Sequence, residues 1–186
     1  MESRDINIFR LEEKIKGLEK RRTKIKESYE LQTDENEKYK LKLLLAGFDK
    51  NIMKRKTRLT ILKQDPILKN EEIALINQKD TLDGMYYIYR IEDDQKVGYI
   101  VYSPEDEENI GSIGYSVKDK YRGHQYAYKS LKLLTEYLKV KGVNQVTIVT
   151  TIDNIPSIKI MDKFRKDCDS KDESRESLKR YKYTLN

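Results

Sequence analysis

Tyr121-Arg122-Gly123-His124-Gln125-Tyr126-Ala127 is a compact turn that runs straight into a helical pattern, and Asn154-Ile155-Pro156-Ser157, about thirty residues on, opens a second helix. After the turn, Tyr126, Tyr128, Leu131, Leu134, Leu138 and Val140 recur at the spacing of a buried helix face that stops at Gly142. Ile110 to Val117 before the turn and Val143 to Thr150 after the helix read as strands. The order is strand, glycine-containing turn, helix, strand, a βαβ-like unit with a helix N-terminus at the turn. Such a terminus presents unpaired backbone N–H groups and the positive end of the helix dipole, the arrangement a pyrophosphate needs.

Upstream, Met85 to Ile91 and Val97 to Tyr102 are rich in β-branched and aromatic residues, and Glu92 to Lys96 joins them as a hairpin loop. With Ile110 to Val117 they make three consecutive antiparallel strands. Asn70-Glu71-Glu72 reads as a helix cap with an acidic first turn, while Ile73-Ala74-Leu75-Ile76 reads equally as a short strand. Downstream, Asn154 caps a helix with Pro156 in its first turn and Ile158, Ile160 and Met161 available for packing. Lys179 to Leu185 alternates like an edge strand, and Arg165 to Ser177, almost without apolar side chains, reads as a long mobile loop carrying Cys168.

Over about residues 85–186 this pattern resembles the GNAT superfamily of N-acetyltransferases, nearest in motif to the ribosomal-protein acetyltransferase type. The family's turn follows Gln/Arg-x-x-Gly-x-Gly/Ala; Arg122 and Ala127 match its ends, and Gln125 stands where the middle glycine is expected. The resemblance implies an α/β fold, a mixed and mostly antiparallel sheet with flanking helices, and a site for acetyl-CoA as co-substrate, with no metal. Arg122, Gly123, His124, Gln125, Tyr126 and Ala127 would hold the phosphates. Tyr115, Ser116 and Val117 would meet the acetyl group and pantetheine arm through their backbone, with the Val117 N–H polarising the thioester carbonyl. Asn154 and Ser157 stand where the second motif flanks the pantetheine arm. Gln125 places a Cβ beside the phosphates.

The resemblance implies direct transfer of acetyl to an amine, which needs a base for the amine and an acid for the leaving thiolate. In many relatives a tyrosine seven residues after the helix-opening Asn is that acid, and a glutamate five before it is the base; Met161 and Val149 occupy those places. Ser157 is then the candidate acid, and Glu107 or Glu108, acting through water, the candidate base. His124 reads as an exposed turn residue. The acceptor would be a protein N-terminus, a lysine or a polyamine-like molecule drawn by the acidic Glu105-Asp106-Glu107-Glu108 loop. The altered catalytic positions leave a second reading, a catalytically degenerate GNAT-like binding module whose N-terminal arm engages a protein partner.

That arm is legible by periodicity alone. Ile8, Leu11, Ile15, Leu18, Arg22, Ile25 and Tyr29 form one heptad seam, and Leu41, Leu45, Phe48, Ile52, Arg55, Leu59 and Leu62 a second. Paired antiparallel about the polar run Gln32 to Glu37, each pair of residue numbers adds to 70. The seams predict a coiled-coil helical hairpin over residues 1–64, each helix about 25 residues and roughly 38 Å long, ahead of a GNAT-like acyl-CoA-binding domain over 65–186. Asp65-Pro66 ends the second helix.

The 186 residues carry a net charge of +6, but residues 1–64 hold 18 Lys+Arg against 11 Asp+Glu, and the rest is close to balanced. The arm therefore reads as an oligomerisation or scaffolding element, giving a homodimer or a protein partner; alternatively, Lys20, Arg21, Arg22, Lys24, Lys26, Lys50, Lys54 and Arg55 form a belt able to track RNA, as in a ribosome-directed enzyme. One Cys and one His argue against a structural zinc site or a Cys/His nucleophile. With no spanning apolar run and no signal-peptide core at the N-terminus, the expectation is a cytoplasmic protein without a membrane partner. The pair of helices that usually forms the acceptor wall of this superfamily is not evident between the first strands: either the hairpin replaces it or Ile6-Asn7-Ile8 is a displaced first strand.

Overall fold

The computed structural model describes residues 3–77, 81–105 and 109–185 and divides into two compact units, Met1–Lys63 and Gln64–Asn186. In the first unit, α1 (Ser3–Leu31) and α2 (Glu35–Lys63) pack side by side. Residues 6–8 are helical, which removes a displaced first strand. Asp34 caps α2 by accepting from the Glu37 N–H at 2.9 Å. Every seam position from Ile8 to Tyr29 and from Leu41 to Leu62 is withdrawn from solvent, with Ile15 and Ile52 buried. The ion pairs Glu12–Lys63, Glu19–Lys56 and Arg22–Asp49 flank the seam and join residues whose numbers add to 71–75, so the helices run antiparallel. All three pairs are solvent-exposed; they fix register more than stability.

The second unit is one seven-stranded sheet: β1 (Ile73–Asn77), β2 (Gly84–Arg90), β3 (Gln95–Pro104), β4 (Ile110–Val117), β5 (Gln145–Thr151), β6 (Ser170–Asp172) and β7 (Leu178–Thr184). Their order is β1-β2-β3-β4-β5-β7-β6, antiparallel throughout except for the parallel β4–β5 pair. Residues 73–76, open between helix and strand in the sequence, are a strand. Asn70 Oδ1 accepts from the Glu72 and Ile73 N–H groups, a turn leading into β1 instead of a helix. Only residues 78–83 lie between β1 and β2, too few for a helical acceptor wall.

Helices α3 (Tyr126–Val140) and α4 (Ile155–Phe164) pack on one sheet face. Register places Tyr86, Ile100 and Tyr115 across that face, with Tyr102 opposite Ile113, and Val146 and Ile148 opposite Tyr183 and Tyr181. Leu131, Leu134 and Leu138 of α3 are fully buried against this face; each contributes roughly 1.5–3 kcal/mol by leaving water. The helix α4 is held by Phe164 against Tyr183 and by the Tyr183 hydroxyl, which donates to the Met161 carbonyl at 3.0 Å.

Two expectations for the C-terminal stretch are corrected. The strand at 178–184 is not an edge: β7 lies between β5 and β6, and β6 is the edge. Residues 165–177 are not simply a long loop, because Ser170–Asp172 pairs with Tyr181 to Tyr183. Polar contacts hold the segment, among them Lys179–Asp172 at 2.9 Å and the Tyr128 hydroxyl donating to Asp167. Apolar periodicity could not reveal a strand secured in this way.

Cys168 sits half-buried in that segment, and burial, with Asp167 and Asp169 nearby, pushes its thiol up to about 11. At pH 8 the thiolate fraction is then about two orders of magnitude below that of an ordinary cysteine. Labelling with a thiol reagent at pH 8 is expected to be slower than that of a free thiol by about that factor. A free-thiol rate would show the segment to be open.

Candidate functional site

Strands β4 and β5 pair only from Ile110–Gln145 to Ser112–Thr147, after which they part. Beyond Ser112, β4 continues to Val117 bonded to β3 alone, while β5 continues against β7. In an antiparallel ladder, alternate residues turn both backbone groups to the same side. Lys118 donates its N–H to the Val97 carbonyl at 2.9 Å, so Lys118 and Ser116 face β3, and Tyr115 and Val117 face the fork. The fork therefore offers backbone N–H donors that no strand uses.

One turn of 3-10 helix, Asp119–Tyr121, carries the chain from β4 to α3. Arg122 folds back along it, with Nη2 2.8 Å from Asp119 and Nε donating to the Val117 carbonyl at 3.4 Å. Gly123 has φ 84°, and a Cβ built there would meet no atom within 4 Å, so the bare backbone forms the surface. Gln125 is also left-handed, at φ 60°, a conformation that costs a non-glycine residue about 1 kcal/mol. Its side chain does not cap α3; Oε1 instead accepts from Lys163 on α4. Because the first helical bond runs from the Lys129 N–H to the Gln125 carbonyl, the earlier amides of α3 have no partner within the helix.

The opposite wall is α4. Asn154 Oδ1 accepts from the Ser157 N–H at 3.3 Å, with Pro156 in the first turn. The Ser157 hydroxyl lies 3.0 Å from the Tyr115 hydroxyl, joining α4 to β4 across the core face. Burial raises the Tyr115 phenol above its ordinary range, and the Ser157 bond partly offsets this. Fork, turn and α4 together enclose a cavity of about 560 Å³. Its lining includes Tyr115, Ser116, Val117, Arg122, Gly123, Gln125, Tyr126, Ala127, Asn154 and Ser157.

The family model described as acetyltransferase (GNAT) domain matches residues 49–165, well over half of the chain and the whole of this site. The chain belongs to the GNAT acetyltransferase family. Solved GNAT structures are similar in fold. A GNAT-family acetyltransferase from Bacillus anthracis has 21% identity and a TM-score of 0.46, over 54% of this chain and 64% of that one. The spermidine/spermine N-acetyltransferase SpeG from Vibrio cholerae has 9% identity and a TM-score of 0.48, over 57% and 67%. RimL, a ribosomal alpha-N-protein acetyltransferase, has 18% identity and a TM-score of 0.46, over 54% and 68%. The match thus spans about two thirds of these relatives. No protein of curated function matches the chain.

In this GNAT domain, every residue expected at the cofactor lines the cavity except His124, whose ring stacks on Tyr126 with centroids 5.6 Å apart. Met161, at the place of the family's acid tyrosine, is fully buried and turned into the core. Val149, at the place of the base, is exposed. Glu107 and Glu108 lie outside the described residues. Four lining residues went unassigned in the sequence: Tyr121, Pro156, Lys159 and Ile160. The first two belong to the quoted motifs; Ile160, three residues after Ser157, follows from helical spacing.

Gly98 protects the fork from behind. It pairs with Val117, and a Cβ there would lie 2.3 Å from the Ser116 carbonyl oxygen. The end of β4 can approach β3 only because residue 98 has no side chain.

Proposed function

We propose that this chain is an acetyl-CoA-dependent N-acetyltransferase that passes acetyl directly from the thioester to an amine. The observation carrying this reading is the fork, in which unpaired β4 amides lie beside an uncapped helix N-terminus and one cavity joins both to Ser157. On this reading the amides of Gly123 to Ala127 hold the phosphates, as helix N-termini do. The Val117 N–H meets the oxyanion that forms when the amine attacks. Ser157 protonates the departing sulfur, and Glu107 or Glu108 draws the amine's proton through water. The acceptor is a protein N-terminus, a lysine or a polyamine-like cation.

In the same reading, residues 65–186 are the catalytic domain, and the basic hairpin of residues 1–64 is an arm for a second copy or a protein partner. Among the described residues, no helix is long and apolar enough to cross a membrane. A cytoplasmic setting with acetyl-CoA as co-substrate fits this proposal.

The test is CoA titration alongside thiol release from acetyl-CoA with a panel of peptides and polyamines. Saturable binding with amine-dependent release supports the proposal. Binding without turnover across the panel replaces it with the binding module, and absence of CoA binding overturns both.

Gln125 gives a sharper check on the phosphate end. In Gln125→Gly the left-handed cost disappears, the Cβ leaves the cradle and Lys163 is released, against a loss of chain rigidity worth about 0.5–1 kcal/mol. Stability is expected to change by less than about 1 kcal/mol while CoA binds several-fold more tightly. Weaker binding in calorimetric titration would show that the Gln125–Lys163 contact supports the cradle.

A further inference from the structure

The side chain of Tyr115 serves no purpose in the scheme above, which uses only its backbone. Its ring packs against the core, and its hydroxyl reaches α4, 3.0 Å from Ser157 Oγ and 3.3 Å from the Ser157 carbonyl oxygen. The carbonyl only accepts, whereas between the two hydroxyls either can donate; a phenol proton shared between Ser157 Oγ and the carbonyl leaves the serine's own proton unused at this corner. Burial holds the phenol above its ordinary range, so the donor proton is present throughout the neutral range. Among the described residues, the hydrogen bond recorded for Ser157 Oγ is to Tyr115. With Tyr115 donating to Ser157 Oγ, the serine proton is free to turn into the cavity that both residues line.

We propose that Tyr115 is a positioning residue for thiol release: it donates to Ser157 Oγ and turns the serine proton toward the sulfur, supplying the directed acid that Met161 cannot. This rests on the acetyl-transfer reading. The amine lone pair adds to the thioester carbon, the C–N bond forms, and the carbonyl pair moves onto oxygen. On collapse that pair re-forms C=O, and the C–S bond breaks with its electrons on sulfur. Sulfur takes the Ser157 proton, Ser157 regains one from water, and the amine nitrogen gives one up to water. Amine and thioester thus become amide and thiol with no other reactant.

The test follows the thiol of bound CoA by NMR across pH, using CoA isotopically labelled on the carbon next to sulfur, in the full chain and in Tyr115→Phe, Ser157→Ala and the double variant. Phenylalanine keeps the packed ring, and thermal melting checks that each variant folds. A donor aimed at sulfur favours its thiolate, so Tyr115→Phe is expected to raise the bound thiol's pKa by about one unit. It should also lower kcat about tenfold, with KM for acetyl-CoA changed less than about twofold. The double variant should lose no more than Ser157→Ala alone, because the two residues act as a unit. An unshifted bound thiol in Tyr115→Phe, or losses that multiply in the double variant, overturns the role of Tyr115 alone. Turnover absent in the wild type overturns the transfer reading, while the thiol shift still judges Tyr115. Failure of the wild type to bind CoA overturns both.

Discussion

Val117→Pro is expected to lower kcat for acetyl transfer by about 10²–10³-fold while leaving CoA affinity within a few-fold of wild type. Proline deletes the N–H of Val117, which faces the fork and takes no part in the β3–β4 ladder. Ser116 before it is already extended, as a residue preceding proline prefers. The substitution therefore removes one donor from the site and no hydrogen bond from the sheet. Loss of a single oxyanion donor costs about 2.7–4 kcal/mol of transition-state stabilisation, and CoA itself has no thioester carbonyl to miss it. Steady-state kinetics beside CoA titration and thermal melting make the check. A folded variant with kcat within about threefold of wild type would move the oxyanion donor to another group, with the Tyr115 N–H next in line.

Phe164→Ala should give the largest loss of stability. The ring is buried, 5.0 Å from that of Tyr183, and it anchors the end of α4 to β7. Removing a buried phenylalanine costs about 3–5 kcal/mol, much of the stability of an ordinary domain. For a unit of this size that is roughly a 10–20 °C fall in the melting midpoint. CoA affinity should fall with it, because α4 carries Ser157 and one wall of the cavity. A midpoint shift of less than about 3 °C would mean that α4 is held mainly from its N-terminal end, by Asn154 and the Tyr115–Ser157 contact.

Legibility differed from element to element. The hairpin seams were readable because a heptad repeat is a local signal, and the side chains from Ile8 to Tyr29 and from Leu41 to Leu62 that repeat it are among those the structure withdraws from solvent; Ile61, outside both seams, is buried as well. Strands β2, β3 and β4 announced themselves through β-branched and aromatic runs. Ile73 to Ile76 did not, because all four residues are buried and a continuous apolar run has no period. The short strand β6 was hidden for the opposite reason, being secured by charged side chains that read as loop.

At the site, the turn from Tyr121 to Ala127 by itself determined where a helix starts and which backbone amides go uncapped, since glycine placement and apolar spacing act within a few residues. It also flagged Gln125, whose left-handed backbone explains why a glycine is expected there. Only the tertiary structure decided that β7 lies inside the sheet, that β4 and β5 part after Ser112, and that Tyr115 meets Ser157 from 42 residues away. These arrangements depend on how many strands and helices compete for one core face. No local pattern encodes the outcome of that competition; the packing of Phe164, Met161 and Tyr183 does.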